Sequence, residues 1–186
     1  MNHLGTVTLE TERLKLRKFT VLDAENMYKN WASDNEVTKF LTWSAHTNAE
    51  VTRELLSNWV KNYEKKDYYN WVIEIKKTCE IVGNISVVSI KENTESADLG
   101  YCMGTKWWGN GIMPEAGKAV IKFLFEQVGF HRIAAAHAEN NQKSGRVMQK
   151  IGMTYEGTLR CAGYCNQGVT DLVWRSILRE EYLDSV

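Results

Sequence analysis

Lys106-Trp107-Trp108-Gly109-Asn110-Gly111-Ile112-Met113-Pro114-Glu115-Ala116 stands between a strand-like run and a helix-like one. Gly109 and Gly111, one residue apart, let the backbone turn sharply and bring its N–H groups close to a bulky anion. The helix that starts beyond them adds unpaired donors and the positive end of its dipole. A diphosphate fits such a place, although turn glycines with a purely structural use are common. The stretch lacks the Gly-Lys-Ser/Thr of a P-loop and the third glycine of a dinucleotide fingerprint. It also follows three strand-like runs instead of opening a βαβ unit, which excludes the usual nucleotide-binding folds.

Downstream, Glu115, Lys118, Lys122 and Glu126 fall at helical spacing and leave the rest of residues 114–128 apolar. Pro114 suits a first helical turn and Gly129 a C-cap. A short strand over 132–137 precedes a helix from near Asn141 to Gly152. Two further strands, 154–161 and 169–178, face each other around residues 163–168. Upstream, three strands over 70–75, 81–90 and 97–103 have short polar connections, as an antiparallel meander needs. Before them, Arg13-Leu14-Lys15-Leu16-Arg17-Lys18-Phe19 alternates charged and apolar residues, a half-exposed first strand. A helix is expected through Ala24, Met27, Tyr28 and Trp31. A second should run from near Asn48 to Tyr63, burying Val51, Leu55 and Trp59. The class is α/β (α+β), with a mixed, mostly antiparallel sheet of about seven strands flanked by helices.

No repeat, low-complexity tract or linker divides the chain, so residues 1–186 read as one domain. Lys plus Arg and Asp plus Glu both number 23, so a whole-protein basic field for nucleic acid is absent. No apolar stretch approaches membrane-spanning length, which points to the cytoplasm. Cys79, Cys102, Cys161 and Cys165 lack paired metal-ligand spacing and read as reduced thiols. His3, His46, His131 and His137 form no triad or metal spacing, so no metal is expected.

The bend resembles the diphosphate motif of GNAT acetyltransferases, Q/R-x-x-G-x-G/A, with Lys106, Gly109 and Gly111 at its fixed positions. Lys106 departs from Gln or Arg. Residues 9–19, with Thr11, Arg13, Leu14, Leu16 and Arg17, resemble the opening strand of the RimJ/RimL group. Ala97-Asp98-Leu99-Gly100-Tyr101 resembles its fourth strand. Asn141, Ser144, Lys150-Ile151-Gly152-Met153 and Glu156-Gly157 resemble its second cofactor motif. The likeness implies a GNAT fold whose sheet splays between strands 4 and 5, and acetyl transfer from acetyl-CoA to a primary amine. The acceptor would be a protein or peptide N-terminus. Alternatives are a small amine (a polyamine, amino-acid derivative or aminoglycoside) or a catalytically silent acyl-CoA-binding module. An acidic pocket around Asp34, Glu36 or Asp171 would favour a polycation. The state would be a monomer or homodimer.

By the same resemblance, main-chain groups of Cys102, Met103 and Gly104 would pair with the pantetheine arm. Amides of Trp108, Gly109, Asn110, Gly111, Ile112 and Met113 would hold the diphosphate, and Asn141 would bind the arm. Asn141 reads equally as a helix N-cap. Arg146 and Lys150 would approach the 3′-phosphate or form a solvated helix face. Asp98 occupies the position of a general base on the fourth strand; a surface aspartate is the alternative. Ser144 matches a serine near the sulfur, and also an ordinary cap. The tyrosine that many members carry seven residues after the motif asparagine is Met148 here, and the RimL-type glutamate before the last hairpin aligns with Gly163. Acceptor walls are sought among Trp31, Phe40, Trp43, Trp71, Tyr164 and Asn166, with core packing the competing role for the aromatics.

Overall fold

The computed structural model describes residues 1–184. Its strands are β1 (Leu9–Glu10), β2 (Leu14–Arg17), β3 (Asn70–Ile75), β4 (Glu80–Lys91), β5 (Ser96–Met103), β6 (Arg132–Ala138), β7 (Thr154–Cys165) and β8 (Gly168–Leu178). They form one eight-stranded sheet in the order β1-β2-β3-β4-β5-β6-β8-β7. All neighbours are antiparallel except β5 and β6. The expectation of about seven strands missed β1, whose two residues pair with Leu16 and Lys15. Two residues are too few to display a period of two.

Side chains alternate across the sheet, as strand geometry requires. Along β3, Trp71 and Ile73 enter the larger hydrophobic cluster, whereas Val72 enters the smaller one with Phe19, Met27 and Leu56. Both faces are covered, which is why β3 shows a continuous apolar run. The larger cluster is roofed by α4 (Ile112–Phe123), which buries Met113, Ala116, Val120 and Phe123. Each fully buried Leu, Ile or Phe there contributes about 1.5–3 kcal/mol. Trp31 and Trp71 are wholly buried, so both belong to the core and not to an acceptor wall.

The opposite face carries α1 (Ala24–Met27), which runs into a π turn at Tyr28–Ala32, then α2 (Asn35–Thr38) and α3 (Ala49–Asn62). Asn48 caps α3 by accepting from the Glu50 and Val51 amides. The buried face of α3 is Thr52 and Leu56, while Val51 is exposed and Leu55 and Trp59 are half-buried. The face is rotated because the Thr52 hydroxyl finds His46 Nδ1 at 2.7 Å, so a polar residue is satisfied inside.

Gly111 is the N-cap of α4, so Pro114 is its third residue, still in the first turn. The helix ends in a π turn at Leu124–Val128, capped by Gly129. α5 (Gln142–Lys150) follows β6, and α6 (Arg179–Leu183) closes the described chain. β7 extends to Cys165 across a register shift between Leu159 and Gly163, which shortens the hairpin turn to Asn166 and Gln167. No helix among the described residues is long and apolar enough to cross a membrane.

Candidate active site

β5 and β6 pair only at their starts, Ser96 with Arg132, Ala97 with Ile133 and Asp98 with Ala134. Beyond Asp98, β6 stays with β8 as far as Ala138 opposite Leu172, and β5 stays with β4 as far as Met103 opposite Gly83. The two strands therefore fork. A cavity of about 410 Å³ occupies the fork. Tyr101, Cys102 and Met103 form one wall, and Asn141, Ser144 and Val147 of the α5 region form the other. The bend from Trp108 to Pro114 completes the lining together with Val37, Phe40 and Leu41.

The bend is built as an anion cradle. Gly109 (φ +80°) and Gly111 (φ +74°) adopt left-handed backbone that L side chains rarely take. A Cβ on Gly109 would meet nothing within 4 Å, so open space lies over it. The Glu115 amide is spent on Gly111 O at 3.1 Å, and Pro114 has no N–H. Among the described residues, no acceptor takes the N–H groups of residues 109–113. The carbonyls, in contrast, are tied elsewhere. Met103 O accepts from Trp108 Nε1 at 2.7 Å, Asn110 O from Arg13 Nη1 at 3.1 Å, and Trp107 O from Asn110 Nδ2 at 3.3 Å. Donors are left free and acceptors withdrawn, which suits a phosphate group.

Arg13, just ahead of β2, supports this bend. Its guanidinium also grips Glu115, whose other oxygen accepts from the Arg13 amide and the Thr11 hydroxyl. Burial raises the Glu115 carboxyl, but the Thr11 and Arg13 hydrogen bonds outweigh it and hold the group below its ordinary range. The charge near the helix N-terminus is thereby neutralised. Cations remain on α5: Lys143 sits 4.0 Å over the Trp108 ring, while Arg146 and Lys150 line the cavity. Among the described residues, no carboxylate lies in its walls.

Of the expected cofactor-contacting residues, Cys102, Met103, Trp108, Gly109, Gly111, Ile112, Met113, Asn141 and Ser144 are brought together around the cavity. Gly104 and Asn110 are not in its walls, and the Trp108 amide expected at the diphosphate is taken by Thr105 O at 3.1 Å. The Gly104 amide is already bonded to Val82 O at 2.9 Å, and a Cβ there would strike Asn30 O, so it extends the β4 ladder. Asn141 Oδ1 accepts from the Ser144 amide at 3.3 Å, so it is an N-cap that also faces the cavity. The Cys102 thiol is pushed up to about 12 by burial and donates to Asn84 Oδ1 at 3.0 Å, so it stays protonated.

Asp98 lies at the closed root of the fork, outside the cavity, with Oδ2 3.6 Å from Lys91 Nζ and Oδ1 buried without a partner. The base position that the resemblance implied is therefore not in contact with the site. The structure instead places Tyr101 there: its hydroxyl lies 2.9 Å from Ser144 Oγ and 3.0 Å from Ser144 O. Burial raises the Tyr101 phenol, which stays protonated. Sequence reading passed over Tyr101 as a functional group, because only the fork turns a strand residue towards α5. Met148, where many members carry tyrosine, is buried.

The Acetyltransferase (GNAT) domain family matches residues 13–154. This chain belongs to the GNAT acetyltransferases. The N-acetyltransferase YoaA of Bacillus subtilis (strain 168) is 31% identical over 158 residues, 85% of this chain and 89% of the relative. A GNAT-family acetyltransferase from Bacillus anthracis, solved by crystallography, superposes with a TM-score of 0.82 at 28% identity, covering 94% of this chain and 99% of that one. The [ribosomal protein uS5]-alanine N-acetyltransferase of Escherichia coli (strain K12) is 36% identical over 80 residues, 42% of this chain and 41% of the relative. GNAT enzymes transfer acetyl groups from acetyl-CoA. The forked strands and free amides of this GNAT chain fit that molecule's extended arm and diphosphate.

Proposed function

We propose that this GNAT enzyme acetylates the α-amine of a protein or peptide N-terminus. The observation that carries the reading is the charge pattern of the cavity. Among the described residues its cations are confined to α5, Val37, Phe40 and Leu41 add an apolar patch to its lining, and its walls hold no acid. A polycation such as a polyamine or aminoglycoside needs carboxylates, and two of the three acids expected to serve one are engaged elsewhere. Asp34 accepts from the Glu36 amide and the Thr105 hydroxyl, and Asp171 from the Cys161 amide at 2.7 Å. The relative that acetylates ribosomal protein uS5 at alanine supports the same class of acceptor.

Acetyl-CoA would be held by the free amides of residues 109–113, by main-chain groups of Cys102 and Met103, and by Arg146 or Lys150 at a phosphate. When bound, it supplies the thioester whose acyl carbon takes the amine and whose sulfur leaves. Amine selection does not need a buried base. At pH 7 about one in seven α-amines is neutral, against roughly one in 2,500 lysine side chains. The walls without acid suit the α-amine, whose surplus proton passes to water. The paired hydroxyls of Tyr101 and Ser144, which line the cavity, would return a proton to the leaving thiolate.

Thiol release from acetyl-CoA, measured against neutral-start peptides, lysine side-chain peptides, spermidine and an aminoglycoside, tests the reading. Peptide α-amines should be preferred by about tenfold or more in kcat/KM. Preference for spermidine or the aminoglycoside overturns it.

A further inference from the structure

Residues 38–43, from the last residue of α2 towards α3, bring Phe40 and Leu41 to the cavity wall. This segment contains a helix end and a run of bends, and one residue from far along the chain determines its shape. Asn166 is the first residue of the two-residue turn joining β7 and β8. Its main-chain N–H donates to Leu41 O at 3.1 Å. Its side-chain Nδ2 donates to both Thr38 O and Trp43 O, each at 2.8 Å. Its Oδ1 accepts from Ser44 Oγ at 3.4 Å. A neutral carboxamide offers two hydrogens and an acceptor at this reach; an aspartate lacks both donors. Because one nitrogen holds the carbonyls of Thr38 and Trp43, the intervening residues close into a loop. The hairpin behind Asn166 is anchored through β8 to β6, so the loop is located relative to the sheet that forms the fork.

We propose that Asn166 is the acceptor-side positioning residue. Its clasp fixes Phe40 and Leu41 as the wall on which the acceptor's first side chain seats, and so sets a preference for an uncharged first residue. This rests on the α-amine reading above. The four contacts all go to residues 38–44 and none to the diphosphate bend or α5, so acceptor selection and cofactor affinity are separable.

The test compares the unaltered enzyme with Asn166→Ala and Asn166→Asp. Tetrapeptides beginning with Ala, Ser, Glu or Lys serve as acceptors, acetyl-CoA binding is measured separately, and amide hydrogen exchange is followed over residues 38–43. Both variants should keep acetyl-CoA affinity within about twofold, raise peptide KM about tenfold, and lose most of the Ala-over-Lys preference. Exchange should quicken in 38–43 and stay native in the sheet. A merely structural role would lower stability without moving the preference ratio. Persisting transfer with an unchanged first-residue preference overturns this inference alone. Absence of peptide-dependent thiol release in the unaltered enzyme overturns the α-amine reading and the specificity role with it.

Discussion

Arg13 brings Nε and Nη2 each to 2.6 Å from one carboxylate oxygen of Glu115, while its main-chain N–H donates to the other at 3.1 Å. The same guanidinium holds the carbonyl of Asn110. One side chain just ahead of β2 thus fastens the diphosphate bend at two places, within the free amides and after them. The bend is organised before any ligand arrives, so less ordering accompanies binding.

Arg13→Gln should loosen that fastening. Arg13 is 48% exposed, so screening limits the effect. Acetyl-CoA Kd should rise about threefold to tenfold, with kcat at saturation little changed. Titration calorimetry reads the first quantity and steady-state kinetics the second. An unchanged Kd would leave Arg13 a surface ion pair only.

The Glu115 carboxyl is held below its ordinary value in the fold, so the unfolded chain binds its proton more readily. Its contribution to stability is complete above the ordinary carboxylate range and is lost as pH falls through the folded value. The Tm gap between the unaltered enzyme and Glu115→Gln should therefore be widest near pH 6 and narrow towards pH 3. A gap of constant size across that window would contradict the pairing.

Gly111→Trp combines a backbone penalty at φ +74° with a bulky ring whose Cβ lies 3.6 Å from Arg13 Nη2, the group that fastens the bend. The left-handed conformation alone costs about 1–2 kcal/mol for a residue with a Cβ. Acetyl-CoA binding should be abolished while far-ultraviolet dichroism stays native. Retained affinity would remove the bend from the site.

Asp98→Asn should give a ratio of mutant to unaltered rate that is flat from pH 6 to pH 9. The carboxylate is outside the cavity, one oxygen has no partner, and its ion partner Lys91 is largely exposed. Thermal stability should hold or rise, since a poorly satisfied buried charge is removed. A loss of rate confined to low pH would restore Asp98 as the base.

Tyr101→Phe keeps the ring and removes the hydroxyl that meets Ser144. If this pair returns the proton to the departing thiolate, kcat should fall about tenfold to a hundredfold with acetyl-CoA affinity nearly intact. Ser144→Ala should fall by a similar factor, and the double variant by no more than the worse single one. Full additivity would separate the two hydroxyls into independent roles.

Some of this was legible in residues 106–116 alone. Two glycines in a strand-to-helix bend leave few backbone solutions, and the free donors follow from Pro114 and the first helical turn. Most of the helix and strand order followed from short-range periodicity, but the two-residue β1, the short helices α2 and α6 and the rotated face of α3 escaped. The wall residues Tyr101 and Leu41 were not legible as site residues. A strand tyrosine and a loop leucine are commonplace until the sheet forks beside them.

By itself, then, the sequence determined the anion-holding bend, the run of elements around it and the likeness to GNAT acetyltransferases, because each depends on neighbours within a few turns of chain. Only the tertiary structure decided that Asp98 lies at the root of the fork, that Tyr101 meets Ser144, and that Asn166 clasps a loop 128 positions away. Those relations depend on strand register and on which pair of strands parts company. Both are set by packing on the two faces of the sheet, not by any local preference of the residues that meet.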